Sequence, residues 1–161
     1  YSLDEIGFVV KTVALAASIF GFFIGGKLIK SSGVKKSLIV GAFLVMVTNL
    51  FFAYIAVSEK SLILLSMVVA LDSMAAGIVG TVNITFLTSL VSKQYTAVQY
   101  ALFTSFMMLP GKILAGFSGL IIIKLGLIFG DNYGWMSFFI ITSFLTMPSI
   151  LLILFYKKKY E

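Results

Sequence analysis

Five apolar runs, each long enough to cross a lipid bilayer, take up most of this chain and restrict its fold more than any other feature. A hydrocarbon core about 30 Å thick takes about 20 helical residues to cross. The runs cover about residues 6–29, 37–57, 61–91, 97–123 and 135–156. Charged residues make up only 11% of the 161, against about 25% in a soluble domain, so a water-facing surface cannot be built from them. Barrel strands are short and alternate in polarity; these runs do neither. The expected fold is an all-α membrane bundle of about five transmembrane helices. The third run is the odd one, since its 31 residues would measure roughly 46 Å as a helix. It has to tilt, kink near Gly77 or Gly80, or project beyond the bilayer.

Short polar breaks separate the runs, at residues 30–36, 58–60, 92–96 and 130–134. Tyr133 and Trp135 fall where an interfacial aromatic belt would lie. Spans that alternate in direction put Lys27, Lys30, Lys35, Lys36, Lys93, Lys157, Lys158 and Lys159 on one side, with Lys60 and Lys124 on the other. Lysine-rich loops stay cytoplasmic, so the N-terminus is expected outside and the C-terminus inside. An odd number of spans with an outside start, and Tyr1 in place of Met, suggest a piece of something longer or a clipped product.

Several function classes drop out on composition. The net charge of +6 comes without any arginine, and the lysines mark segment ends, so it reads as membrane orientation and not as a nucleic-acid surface. There is no cysteine and no histidine, which removes disulfides, thiolate or imidazole metal sites and the usual nucleophile–base pairs. No Gly-rich phosphate loop occurs. Neither cofactor nor metal is expected, and a chain with Asp72 as its one deeply placed carboxylate lacks the acidic pair of an intramembrane aspartyl protease.

The charges that remain inside the apolar runs are therefore informative. An isolated Asp or Lys at the centre of a membrane helix costs about 2.5–3.5 kcal/mol, and such residues commonly mark ion or substrate pathways. Asp72 lies about 18 Å and Lys112 about 16 Å from the outer ends of the third and fourth spans. These spans are consecutive and antiparallel, so the two side chains could share a level as proton and substrate groups, or form a locked structural pair. Asn83 and Gln99 belong to the same polar set, and these two spans are expected to line any cavity. Pro110 and Gly111 supply a kink point directly before Lys112. Lys11 is placed to snorkel outward. Asn49 reads as an interhelical hydrogen bond, Gly21/Gly25 and Gly116/Gly119 as helix-packing pairs. The second and fifth spans, nearly free of polarity, read as mostly lipid-facing.

Two segments carry a family resemblance. Residues 26–36, with Gly26, Gly33, Lys35 and Lys36, resemble the short basic loop that joins the second and third helices of each half of a major facilitator transporter. Lys30 stands in place of that loop's acid and Ser31 in place of its first arginine. Asp72, Gly77, Gly80 and Thr81, followed by Thr96, Ala97, Val98, Gln99, Tyr100, Ala101 and Leu102, resemble the AmpG-type permeases, with Val98 where those have Thr. Asp4, Glu5, Ile6 and Gly7 with Lys11 are similar to a stretch preceding one of their helices. The resemblance implies that residues 1–161 are the last five helices of a C-terminal six-helix half, with that half's first helix missing. It implies proton-linked import of muropeptides, sugar–peptide fragments of the cell wall, across the bacterial inner membrane. The implied partners are lipid, that solute, protons and the missing N-terminal half, with residues 26–36 a cytoplasmic hinge loop. A carrier of another solute such as an acyl-CoA, a non-transporting relic and a membrane assembly subunit are the alternatives.

Overall fold

The computed structural model describes residues 4, 6–7, 10–92 and 96–155. A single π-helical turn, Val10–Ala14, leads into helix α1, Leu15–Val57. Then follow α2 (Leu62–Leu90), α3 (Thr96–Phe129), α4 (Asp131–Phe144) and α5 (Met147–Phe155). Among the described residues, four helical stretches are long and apolar enough to cross a membrane: Lys11–Val57, Leu62–Leu90, Ala97–Phe129 and Asp131–Phe155.

The first stretch is two crossings. As one rod its 47 residues would measure about 70 Å, over twice the hydrocarbon thickness. Gly33 divides it, with φ 77° and ψ 166° in a region that essentially only glycine enters. The two arms, residues 15–32 and 34–57, both pack on α2. On the first arm, Gly21 lies against the Met74 carbonyl and Gly25 against Ile78 and Thr81, so that arm runs parallel to α2. On the second, Gly41 meets Val79 and Thr48 meets Asp72, so that arm runs antiparallel. Positions 25 and 41, equally far from Gly33, reach neighbouring residues of α2. The hairpin gives five crossings in all, and the expected seven-residue loop contracts to the single residue Gly33.

α2 is one uninterrupted helix of 29 residues, about 44 Å long, with no break at Gly77 or Gly80. Gly77 has a packing role instead. A Cβ there would run into the Ser18 carbonyl and lie 3.0 Å from the Gly21 Cα, so the two backbones touch as in other small-residue membrane interfaces. Ser61 caps the start of α2, its hydroxyl accepting from the Leu64 N–H at 3.4 Å. Val68, Ala75, Ile78 and Val82 are buried along the contact with the hairpin, and Ile55, Leu65, Val68 and Val69 form a cluster flanked by Val13, Ala14 and Phe52.

The second arm of α1 is more enclosed than its low polarity suggests, because α4 packs on it as well as α2, while Phe43, Phe51 and Tyr54 stay exposed on its remaining face. Phe52 stacks on Phe139 at 5.3 Å, Thr142 bonds to Asn49, and Ser143 bonds to the Met46 carbonyl. The expected loop over residues 130–134 reduces to Gly130, at φ 87°, with α3 and α4 closing on each other where Gly126 meets Gly134. Between α4 and α5 the chain steps out of the regular ladder. Pro148 has no N–H to give the Phe144 carbonyl, and two residues earlier the Thr146 N–H bonds to Ser143 O at 3.2 Å, an i→i−3 step in place of i→i−4. α3 stands largely apart. It has little contact with α2, and nothing lies within 4 Å of a Cβ at Gly111, Gly116 or Gly119.

Candidate functional site

α2 positions Asp72 about ten residues into its length, on the face turned toward the second arm of α1. Its carboxylate Oδ1 accepts a hydrogen bond from Thr48 Oγ1 at 2.9 Å. Thr48 is 3% exposed, so the bond lies inside the protein, while Asp72 itself is half-buried. A charge-assisted bond of this kind is among the stronger single hydrogen bonds. It offsets part of the cost of keeping a carboxylate at that depth. Helices place residues three or four apart on one face, so Val68, Asp72, Val79 and Asn83 form a strip along α2 that follows the second arm.

The next residue of that arm faces the other way. Asn49 donates through Nδ2 to the Val45 carbonyl at 2.9 Å, and its Oδ1 accepts from Thr142 Oγ1 at 3.1 Å. Ser143, 2% exposed, donates to the Met46 carbonyl at 2.8 Å. One turn and a little more, residues 45–49, thus carries polar bonds to α2 on one side and α4 on the other. Asn49 is an interhelical hydrogen-bonding residue, as the sequence suggests.

Asn83 lies about 16 Å farther along α2 from Asp72. It lines a pocket of about 260 Å³ between the second arm, α2 and α5, together with Ser37, Val45, Thr146 and Ser149. A second, open groove of about 430 Å³ is lined by Lys11, Ser18, Ser73 and Ala76, where the π-helical turn meets α2. A π-helical turn is rare and is frequently found at functional sites.

The remaining candidates are placed elsewhere. Lys112 is exposed on α3 and forms no ion pair with Asp72. Gln99 closes the break after α2, its Oε1 accepting from the Ser92 N–H at 2.8 Å and the Ser92 hydroxyl at 3.1 Å. Pro110 and Gly111 lie within unbroken helix. Of residues 26–36, Gly26 and Lys36 are exposed and Gly33 makes the turn. Lys35 donates to the Leu154 carbonyl at 3.1 Å, a cation at a helix C-terminus that fastens the Gly33 turn to the end of α5. That end of the bundle holds Lys27, Lys30, Lys35 and Lys36, while Lys60 sits at the opposite end beside Asn132 and Trp135. Lys93, Lys157, Lys158 and Lys159 lie outside the described residues.

Sequence reasoning missed Thr48 as the partner of Asp72 and the Thr142–Ser143 pair that holds Asn49. The signal was present: a lone hydroxyl in an apolar helix needs a partner from another helix. The sequence leaves open which helix supplies it.

Comparison with known proteins agrees with this architecture. A sequence profile described as the Major Facilitator Superfamily matches residues 1–161. Among curated proteins, one named "Putative transporter AmpG 1" from Rickettsia prowazekii is 28% identical over 159 residues, covering 99% of this chain and 34% of its own length. Its namesake in Rickettsia bellii is 28% identical over 161 residues, 100% of this chain and 37% of that protein. "Putative transporter AmpG 4" of Rickettsia felis is 26% identical over 159 residues, 99% of this chain and 36% of its own length. The chain spans about a third of the length of these relatives. No solved structure gives a significant match. With a helical bundle built for a bilayer and a family match along its whole length, this multi-pass membrane chain belongs to the Major Facilitator Superfamily.

Proposed function

We propose that the chain is part of a proton-linked secondary transporter that imports muropeptide fragments across the bacterial inner membrane. Its five crossings would be the last five of the C-terminal half, with the lysine-rich end cytoplasmic. The observation that carries the reading is Asp72, an ionisable group kept deep in an apolar helix and hydrogen-bonded to a buried hydroxyl. A charged residue at the centre of a membrane helix costs about 2.5–3.5 kcal/mol and commonly marks an ion or proton pathway, and Asp72 is placed to take up a proton from one side and release it to the other. Family membership supports transport over catalysis, and the AmpG names of the relatives support the solute class.

In this reading Lys112 contacts an anionic group of the solute, and Asn83 and Gln99 are secondary polar positions along its route. The rest of the transporter supplies the facing wall, since alternating access needs two bundles that rock about a midplane site. The test is uptake of labelled anhydromuropeptide into membrane vesicles carrying the full polypeptide, with and without a proton gradient. Asp72→Asn is expected to abolish gradient-driven accumulation while facilitated exchange persists. Undiminished, still gradient-dependent uptake would overturn the role of Asp72.

A further inference from the structure

We propose that Thr48 is the positioning residue of the proton site, reading the proton occupancy of Asp72 and passing it along the second arm of α1 to α4. The proposal rests on Asp72 being the group that takes up the proton. A threonine hydroxyl has one hydrogen to donate and two lone pairs that accept. Thr48 Oγ1 has two acceptors within reach, Asp72 Oδ1 at 2.9 Å and the Val45 carbonyl at 3.1 Å. One hydrogen cannot serve both.

The geometry therefore gives Thr48 two settings. With Asp72 ionised, the carboxylate is the stronger acceptor and the hydroxyl hydrogen points to α2. With Asp72 protonated, the new O–H can donate to Thr48 Oγ1, and the Thr48 hydrogen turns to Val45 O. Thr48 only rotates; the proton gained or lost belongs to Asp72 and comes from the aqueous phase.

The second setting has a consequence on the far side of the arm. Val45 O already accepts from Asn49 Nδ2 at 2.9 Å, and Asn49 Oδ1 is one of two acceptors within reach of the Thr142 hydroxyl of α4, the other being the Phe139 carbonyl at 3.0 Å. A hydroxyl turning onto that carbonyl competes with the Asn49 amide, so the bond to α4 feels the protonation of α2. The path of Asp72, Thr48, Val45 O, Asn49 and Thr142 crosses three helices by direct contacts. Other charged groups stand off from it. Lys11 lines the open groove beside Ser73, with Ser18 and Ala76. Lys27, Lys30, Lys35 and Lys36 lie at the Gly33 end, and Lys36 is about 18 Å from Thr48 along the arm.

The experiment is infrared difference spectroscopy across a pH step on the full polypeptide in lipid vesicles, with proton-dependent uptake measured in parallel. The carboxyl stretch of Asp72 is identified as the band lost in Asp72→Asn. Thr48→Val is expected to shift that band and to change the half-saturating proton concentration for uptake by about tenfold, the worth of one hydrogen bond. Thr48→Ser is expected to restore both. If Thr48→Val does not accumulate in membranes, Thr142→Val is expected to give a smaller shift of the same band. A Thr48→Val protein with an unmoved band and wild-type proton dependence, merely less abundant, would overturn the proposal and leave Asp72 as the proton site. A Thr142→Val protein with an unmoved Asp72 band overturns the relay to α4. Asp72→Asn with intact gradient-driven uptake would instead overturn the reading beneath it.

Discussion

Asp72, Thr48 and Asn49 show how much a single hydroxyl or amide decides in an apolar bundle. Hydrogen bonds between membrane helices are worth about 0.6 kcal/mol on average and at most about 1.7. Replacing Asn49 by Leu removes its bond with Thr142 and leaves that hydroxyl its local bond to the Phe139 carbonyl. Reversible unfolding in mixed micelles should therefore show a loss of about 1 kcal/mol. A larger loss is expected at Gly77. Any side chain there meets the Ser18 carbonyl and the Gly21 Cα, which are backbone and cannot swing aside. Gly77→Val should cost about 1–3 kcal/mol as an overpacked contact, measured by the same unfolding. At this scale the sequence was partly legible. Asp72 stood out because a carboxylate is expensive in hydrocarbon wherever it sits. Its partner did not, because Thr48 is 24 residues away and only the hairpin at Gly33 brings the two together.

At the level of whole helices, runs of apolar residues announced five crossings, because a bilayer sets the length of what spans it. Their breaks were harder to read. A proline removes one backbone bond wherever it falls, so Pro110 and Pro148 send the same signal. The helix continues through the first, and only beside the second does the chain shift to an i→i−3 bond, at Thr146. Residues 30–36 looked like a loop for their polarity, yet polarity at a membrane surface is equally compatible with helix. Only Gly33 leaves helical geometry. Alanine there must adopt a conformation worth about 1–3 kcal/mol of strain. Gly33→Ala is thus expected to lower hairpin stability by that amount, whereas Gly26→Ala, with open space around it, is expected to change little. The Lys35 bond to Leu154 ties this turn to α5. Lys35→Met should speed amide exchange at residues 151–155, and Lys35→Arg should preserve most of the protection.

For the molecule as a whole, α3 was the least legible element. Its polar and small residues suggested a cavity wall shared with α2. Instead it leans on α4 near Gly126 and leaves Lys112, Gly116 and Gly119 uncovered. Sequence shows that such a face carries small and polar residues; it does not show which helix they pack on, and among the described residues α3 packs mainly on α4. These 161 residues hold no cysteine, so single replacements can read this face once any cysteine elsewhere in the polypeptide is changed to serine. In the full polypeptide, Lys112→Cys is expected to react with a water-soluble maleimide. Leu114→Cys, at the same depth on the opposite side of the helix, should stay unreactive; equal labelling would exclude a water-lined face. The glycine contacts of the hairpin then acquire a mechanical meaning. A one-residue turn has no slack, and backbones in touch at Gly21 and Gly77 have no cushion of side chains to slide on. Both arms of α1 and α2 therefore form one stiff block around the Thr48–Asp72 bond, so any rearrangement of this bundle has to carry that bond with all three together.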